Sequence, residues 1–110
     1  DSIPSSANQE DVVSMGTTAA RKAGMIVQNT LSVLAMELLT ACQAIDIRRR
    51  LNTHGQGITP LHEALYQHVR EKVAFFEVDR EIWPDIAEVE KMVRSGELLE
   101  IVKEYMPEFQ

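Results

Sequence analysis

Positive charge is the first scarcity in this chain. Eleven Lys and Arg stand against 17 Asp and Glu, a formal net charge of −6 over 110 residues, and no basic stripe offsets it. That balance argues against a nucleic-acid partner. Aromatic residues make up only 5%, so a core has to be built from Leu, Val, Ile, Met and Ala. A single cysteine, Cys42, excludes an internal disulfide and fits a reducing, cytoplasmic setting. Long apolar runs are missing too. The longest charge-free stretch, Ala23 to Met36, still carries Gln28, Asn29, Thr30 and Ser32, which reads as too short and too polar to span a bilayer. No charged-then-apolar leader opens the chain. Asp1 is not a natural initiator, so the chain is expected to begin within a gene product or after processing. At 45% apolar and 25% charged residues, what remains is ordinary globular composition, enough for one small segment or a piece of something larger.

What is present is helical periodicity. An apolar stripe runs through Val13, Gly16, Ala20, Ala23, Val27, Leu31, Leu34, Leu38, Ala41 and Ile45, in steps of three and four residues. Gly16, Ala20 and Ala23 keep its first half small, so a partner backbone could approach closely. Arg48, Arg49 and Arg50 end the pattern, where cations complement the negative end of a helix. Gly16 and Gly24 each cost about 1 kcal/mol against alanine, which leaves a kink open. A helix over 10–51 would be about 60 Å long, whereas a compact chain of this size has a radius of gyration of about 13 Å. The expectation is a long central helix of a helical bundle whose stripe needs other helices, from the same parent chain or from other subunits.

Asn52, Gly55, Gly57 and Pro60 mark a loop, and three shorter helices are expected after it, over 60–76, 84–94 and 96–106. Pro60 and Pro84 suit first turns, and Ser95-Gly96 suits a stop. No strand alternation occurs, so the chain reads as a single all-α segment, 1–110, with residues 1–9 as a loop leading into the long helix.

That lead-in, "SSANQEDVVSMG" over 5–16, holds more polar side chains than a cap requires. Ser6 with Gln9 resembles a capping box, Asn8 is another possible cap, and Glu10 and Asp11 suit the positive end of the dipole. Capping absorbs one or two of these groups. Asn8, Gln9 and Glu10 together could instead line a pocket at the mouth of a bundle.

The same run, continued by "TTAARKA" and "AMELLTACQAIDIRR", resembles the C-terminal region of histidine ammonia-lyase, in the aromatic amino acid ammonia-lyase and aminomutase family. "PLHEALYQHVRE", "DREIWPDI" and "SGELLE" resemble that family's tail, so the likeness covers nearly the whole chain. It implies a parent enzyme that is an all-helical homotetramer eliminating ammonia from L-histidine to give urocanate. The family's electrophile, a methylideneimidazolone group, forms from an Ala-Ser-Gly triplet, and no such triplet occurs here. The segment would therefore be inactive alone. By the likeness, Glu10 matches the active-site glutamate that faces the substrate imidazole, with Gln9 and Asn8 supporting the same pocket wall. A carboxylate there can accept a hydrogen bond from a ring N–H. Histidine ammonia-lyases commonly carry His after Glu-Asp, where this chain has Val12. Glu10 thus points to histidine, while Val12 leaves another aromatic amino acid open.

The remaining candidates read as structural. His54, His62 and His68 do not share a helix face at ligand spacing, so no metal is expected. Cys42 suits a small buried hydrophobe, since no base is placed near it. Arg48 to Arg50 suit helix termination and ion pairing between subunits. A non-enzymatic helical oligomerisation module would use the long stripe equally well, but it has no need of "SANQE" at its mouth.

Overall fold

The computed structural model describes residues 9–51 and 57–109, and for residues 9–14 the backbone alone. Four helices follow one another: α1 (Gln9–Arg50), α2 (Pro60–Arg70), α3 (Trp83–Ser95) and α4 (Glu97–Tyr105). No strand occurs among the described residues, and the chain is all-α with a long first helix, as its periodicity indicates. Gly16 and Gly24 both lie within α1, which runs on as one helix. Two compact units divide the chain, Asp1–Thr30 and Leu31–Gln110.

In the first unit the described side chains from Met15 onward are exposed, apart from half-buried Thr18. Met25, Ile26 and Val27 are each at least 60% accessible. In the second unit a small core forms from Ala35, Leu39 and Cys42 on α1, Tyr66 and Val69 on α2, Val73 just beyond it, and Val89 and Met92 on α3. The buried line on α1 is therefore not the stripe expected from spacing. It runs through Ala35, Leu39 and Cys42, with Leu38 and Ile45 at its margin, while Leu34 and Ala41 are exposed. Ala35 and Cys42 share this core with side chains of α2 and α3, and Asp46, one turn on, pairs with Arg70 of α2.

By length and composition α1 from Met15 to Arg50 is apolar enough to cross a membrane. This corrects the reading drawn from the charge-free run: between Lys22 and Asp46 only Glu37 is charged, so the apolar window continues past it. A core helix of a larger protein meets the same criterion.

α2 begins as Pro60 suggests. Thr59 caps it by accepting the His62 N–H at 3.2 Å, with Pro in the first turn. It stops at Arg70, not at 76. Just beyond Arg70 the Glu71 and Val73 N–H groups still donate to the Gln67 and Val69 carbonyls, at 3.1 and 3.0 Å, while the Val73 carbonyl accepts from Arg70 Nη1 at 3.0 Å. The Gln43 amide donates to the Phe76 carbonyl at 3.1 Å and accepts from the Phe76 N–H at 3.2 Å. At Phe76 tertiary hydrogen bonds thus replace the helical ladder.

α3 starts at Pro84's turn and ends at Gly96, whose φ of 84° lies in the left-handed region. Glycine enters that region without a Cβ penalty, and the reversal starts α4 at once. α4 carries no fully buried residue and packs through half-buried Leu98 at the edge of the core.

Candidate functional site

Glu10 and Gln9 form the first turn of α1; their side chains are not described, and Asn8 lies outside the described residues. A helix start places carboxylates where the dipole favours the charged form. His54 also lies outside the described residues.

The described polar chemistry gathers in the second unit, around a site that spacing alone did not single out. Asp46 on α1 accepts from the Tyr66 hydroxyl through Oδ1 and from Arg70 Nε through Oδ2 at 2.9 Å. Tyr66 and Arg70 stand four residues apart on one face of α2, so both reach the same carboxylate. Arg70 Nη2 lies 2.7 Å from Asp46 Oδ2 but off the line of a good hydrogen bond, so charge rather than direction holds that atom. The two side chains are only 12% and 16% exposed, where an ion pair is poorly screened. Burial pushes the Tyr66 phenol above its ordinary range, and the Asp46 contact adds to that. The available signal was Asp46 itself, a lone carboxylate one turn past Cys42.

Cys42 is 2% exposed. Burial raises its thiol, and the nearby Arg70 charge only partly opposes this. It is held as a neutral thiol in a core, not as an activated nucleophile. His62 Nδ1 lies 3.0 Å from the Thr59 hydroxyl, and His68 Nε2 lies 2.7 Å from Glu97 Oε2. Among the described residues no group of three or more His, Cys, Asp and Glu is placed to hold a metal. Arg49 pairs with Glu63, and Arg50 pairs with Glu77 at 3.1 Å while stacking 3.8 Å over the Phe75 ring. Arg49 and Arg50 therefore make ion pairs within the chain.

Two cavities flank α1 in this unit. One, of about 360 Å³, lies between α1 at Thr40 to Ile47 and the segment Val73 to Ile82. The other, of about 350 Å³, lies between Leu38 to Arg48 and the α2 residues His62, Leu65 and Tyr66. Both are mostly apolar, and neither gathers an acid, a base and a nucleophile. Within the described residues this arrangement supports a scaffold.

The family described as aromatic amino acid lyase matches residues 1–71, from the polar lead-in through the Asp46–Arg70 pair. The chain belongs to the aromatic amino acid lyase family. Its similarity to individual members is substantial. It is 50% identical over 104 residues to a histidine ammonia-lyase of Caldanaerobacter subterraneus subsp. tengcongensis, covering 94% of this chain and 20% of that protein. It is 44% identical over 110 residues to that of Desulfotalea psychrophila, covering 99% of this chain and 20% of that one. A crystal structure of tyrosine aminomutase from Streptomyces globisporus superimposes with a TM-score of 0.73 at 37% identity, over 94% of this chain and 19% of that one. The chain thus spans about 20% of the length of the curated aromatic amino acid lyases it matches.

Proposed function

We propose that this chain is the C-terminal, active-site-bearing helical segment of a histidine ammonia-lyase, a carbon–nitrogen lyase that releases ammonia from L-histidine to give urocanate. The observation that carries the reading is the 50% identity to a histidine ammonia-lyase across 94% of the chain, with Asn8, Gln9 and Glu10 inside the family match. In this reading Glu10, at the start of α1, accepts a hydrogen bond from the substrate's imidazole N–H and favours a polarised ring. Gln9 and Asn8 complete that wall of the pocket.

The methylideneimidazolone group implied by the family would activate the amine as a leaving group. Its Ala-Ser-Gly precursor is not among these 110 residues, so nothing here can form it, and this chain's part is to bind and orient. The base that takes the β-proton also lies outside the chain. The parent acts as a cytoplasmic homotetramer whose long helices associate, and the segment alone has no turnover. The family likeness of tyrosine aminomutase, together with Val12, favours a second reading, in which the parent acts on another aromatic amino acid.

Replacing Glu10 with Ala in the full-length enzyme tests the assignment. Loss of one hydrogen bond to a charged group should lower kcat/KM for L-histidine roughly 10- to 100-fold, with the assembly unchanged by sedimentation. Unaltered turnover would remove Glu10 from the site.

A further inference from the structure

The cavity of about 350 Å³ between α1 and α2 takes both of its walls from this chain. Leu38 and Ile45 on α1 and Leu65 on α2 make its sides, and all three are half-buried. Cys42 and Tyr66, 2% and 8% exposed, form its buried end. No polar atom at that end calls for a ligand. The Tyr66 hydroxyl donates to Asp46, and burial holds the Cys42 thiol neutral.

The exposed end differs. Arg48, in the last turn of α1, and His62, in the first turn of α2, both line the cavity and both are exposed. The Thr59 hydroxyl accepts from the His62 backbone N–H at 3.2 Å. With its own proton donated to His62 Nδ1, 3.0 Å away, the neutral ring carries hydrogen on Nε2, where it can donate again. Arg48 is already engaged within the chain, but a guanidinium has more N–H donors than one partner uses. The neighbouring Arg49 is paired with Glu63, so those two add no net charge.

A ligand suited to this cavity has an apolar body and one anionic end. An aliphatic side chain from elsewhere in the polypeptide would fill the inner part but bring no anion to Arg48 and His62. Tyr66 supplies an aromatic ring and Cys42 a polarizable sulfur, partners that favour a flat aromatic ring over a flexible chain. We propose that this cavity binds a small aromatic carboxylate, its ring toward Tyr66 and Cys42 and its carboxylate between Arg48 and His62. The contact with Arg48 is a charge-assisted hydrogen bond, the stronger kind. None of the lining residues is among Asn8, Gln9 and Glu10, the residues assigned to the substrate.

Photolabelling of the full-length enzyme with p-benzoylbenzoate tests this, with adducts located by peptide mass spectrometry. Adducts are expected within 38–66. Excess trans-cinnamate should suppress them, whereas octanoate at the same concentration should not. Arg48→Gln combined with His62→Gln, at two exposed positions, should lower labelling there at least roughly 10-fold. The competition in the unaltered enzyme stands even where a variant folds poorly. Adducts only elsewhere, the outcome if the enzyme's own side chains fill the cavity, would overturn the proposal. So would equal suppression by octanoate, or labelling that the double substitution leaves unchanged. The substrate does not enter: an enzyme inactive on L-histidine would still be labelled.

Discussion

Asp46 and Arg70 show how much a single pair of residues carries here. Each is mostly withdrawn from water, so removing one leaves the other's charge stranded rather than merely unpaired. Arg70→Met in the full-length enzyme should destabilise it by about 3 kcal/mol, read as a lower urea midpoint with an unchanged slope. A change below about 1 kcal/mol would show the pair to be screened like a surface bridge. Glu97 makes a contrasting case. The Ser95 hydroxyl, donating at 2.8 Å, and then His68 hold its carboxyl below the usual range. A carboxylate whose folded pKa is depressed stabilises the fold above its unfolded pKa, and that stabilisation disappears as pH falls through the folded value. Glu97→Gln should therefore leave stability at acid pH almost unchanged while lowering it at neutral pH, flattening the acid limb of a melting-temperature-against-pH curve. An unaltered curve would mean that the Ser95 and His68 contacts are lost in solution.

At the scale of elements, helix identity was legible because punctuation and period agree: Pro60 and Pro84 sit in first turns, and Gly96 takes the left-handed conformation that ends α3. What was not legible depends on residues remote in sequence. The spacing of Leu65, Val69 and Val73 would carry α2 past Arg70, yet Gln43, 33 residues away, claims both backbone groups of Phe76. The register of the buried face on α1 was hidden for another reason. Apolar residues occupy so wide an arc there that spacing allows several stripes, and only the partner's position selects Ala35, Leu39 and Cys42. The Asp46–Tyr66–Arg70 site was missed on the same ground, since its members come from two helices. Replacing Gln43 with Ala should release the segment after α2: the Phe76 amide, protected by this contact, should exchange with solvent at least roughly 10-fold faster by hydrogen exchange. Unchanged protection would mean that packing, not the amide pair, holds the segment.

For the whole molecule, composition and periodicity could give the fold class, and the short polar run Asn8 to Glu10 pointed to the functional reading through its family likeness. Local spacing does not supply the reaction; in the proposed reading the electrophile and base lie outside these 110 residues. The segment is legible as a component: a helix start bearing a carboxylate, and a small core that fixes α2 and α3 on α1. The most direct measurement of the central claim is turnover by the purified full-length enzyme given L-histidine and, separately, L-tyrosine and L-phenylalanine. The account expects urocanate absorbance to grow with L-histidine and ammonia to be released in equal amount, with little or no turnover of the other two. Turnover of L-tyrosine or L-phenylalanine without urocanate formation from L-histidine would contradict it.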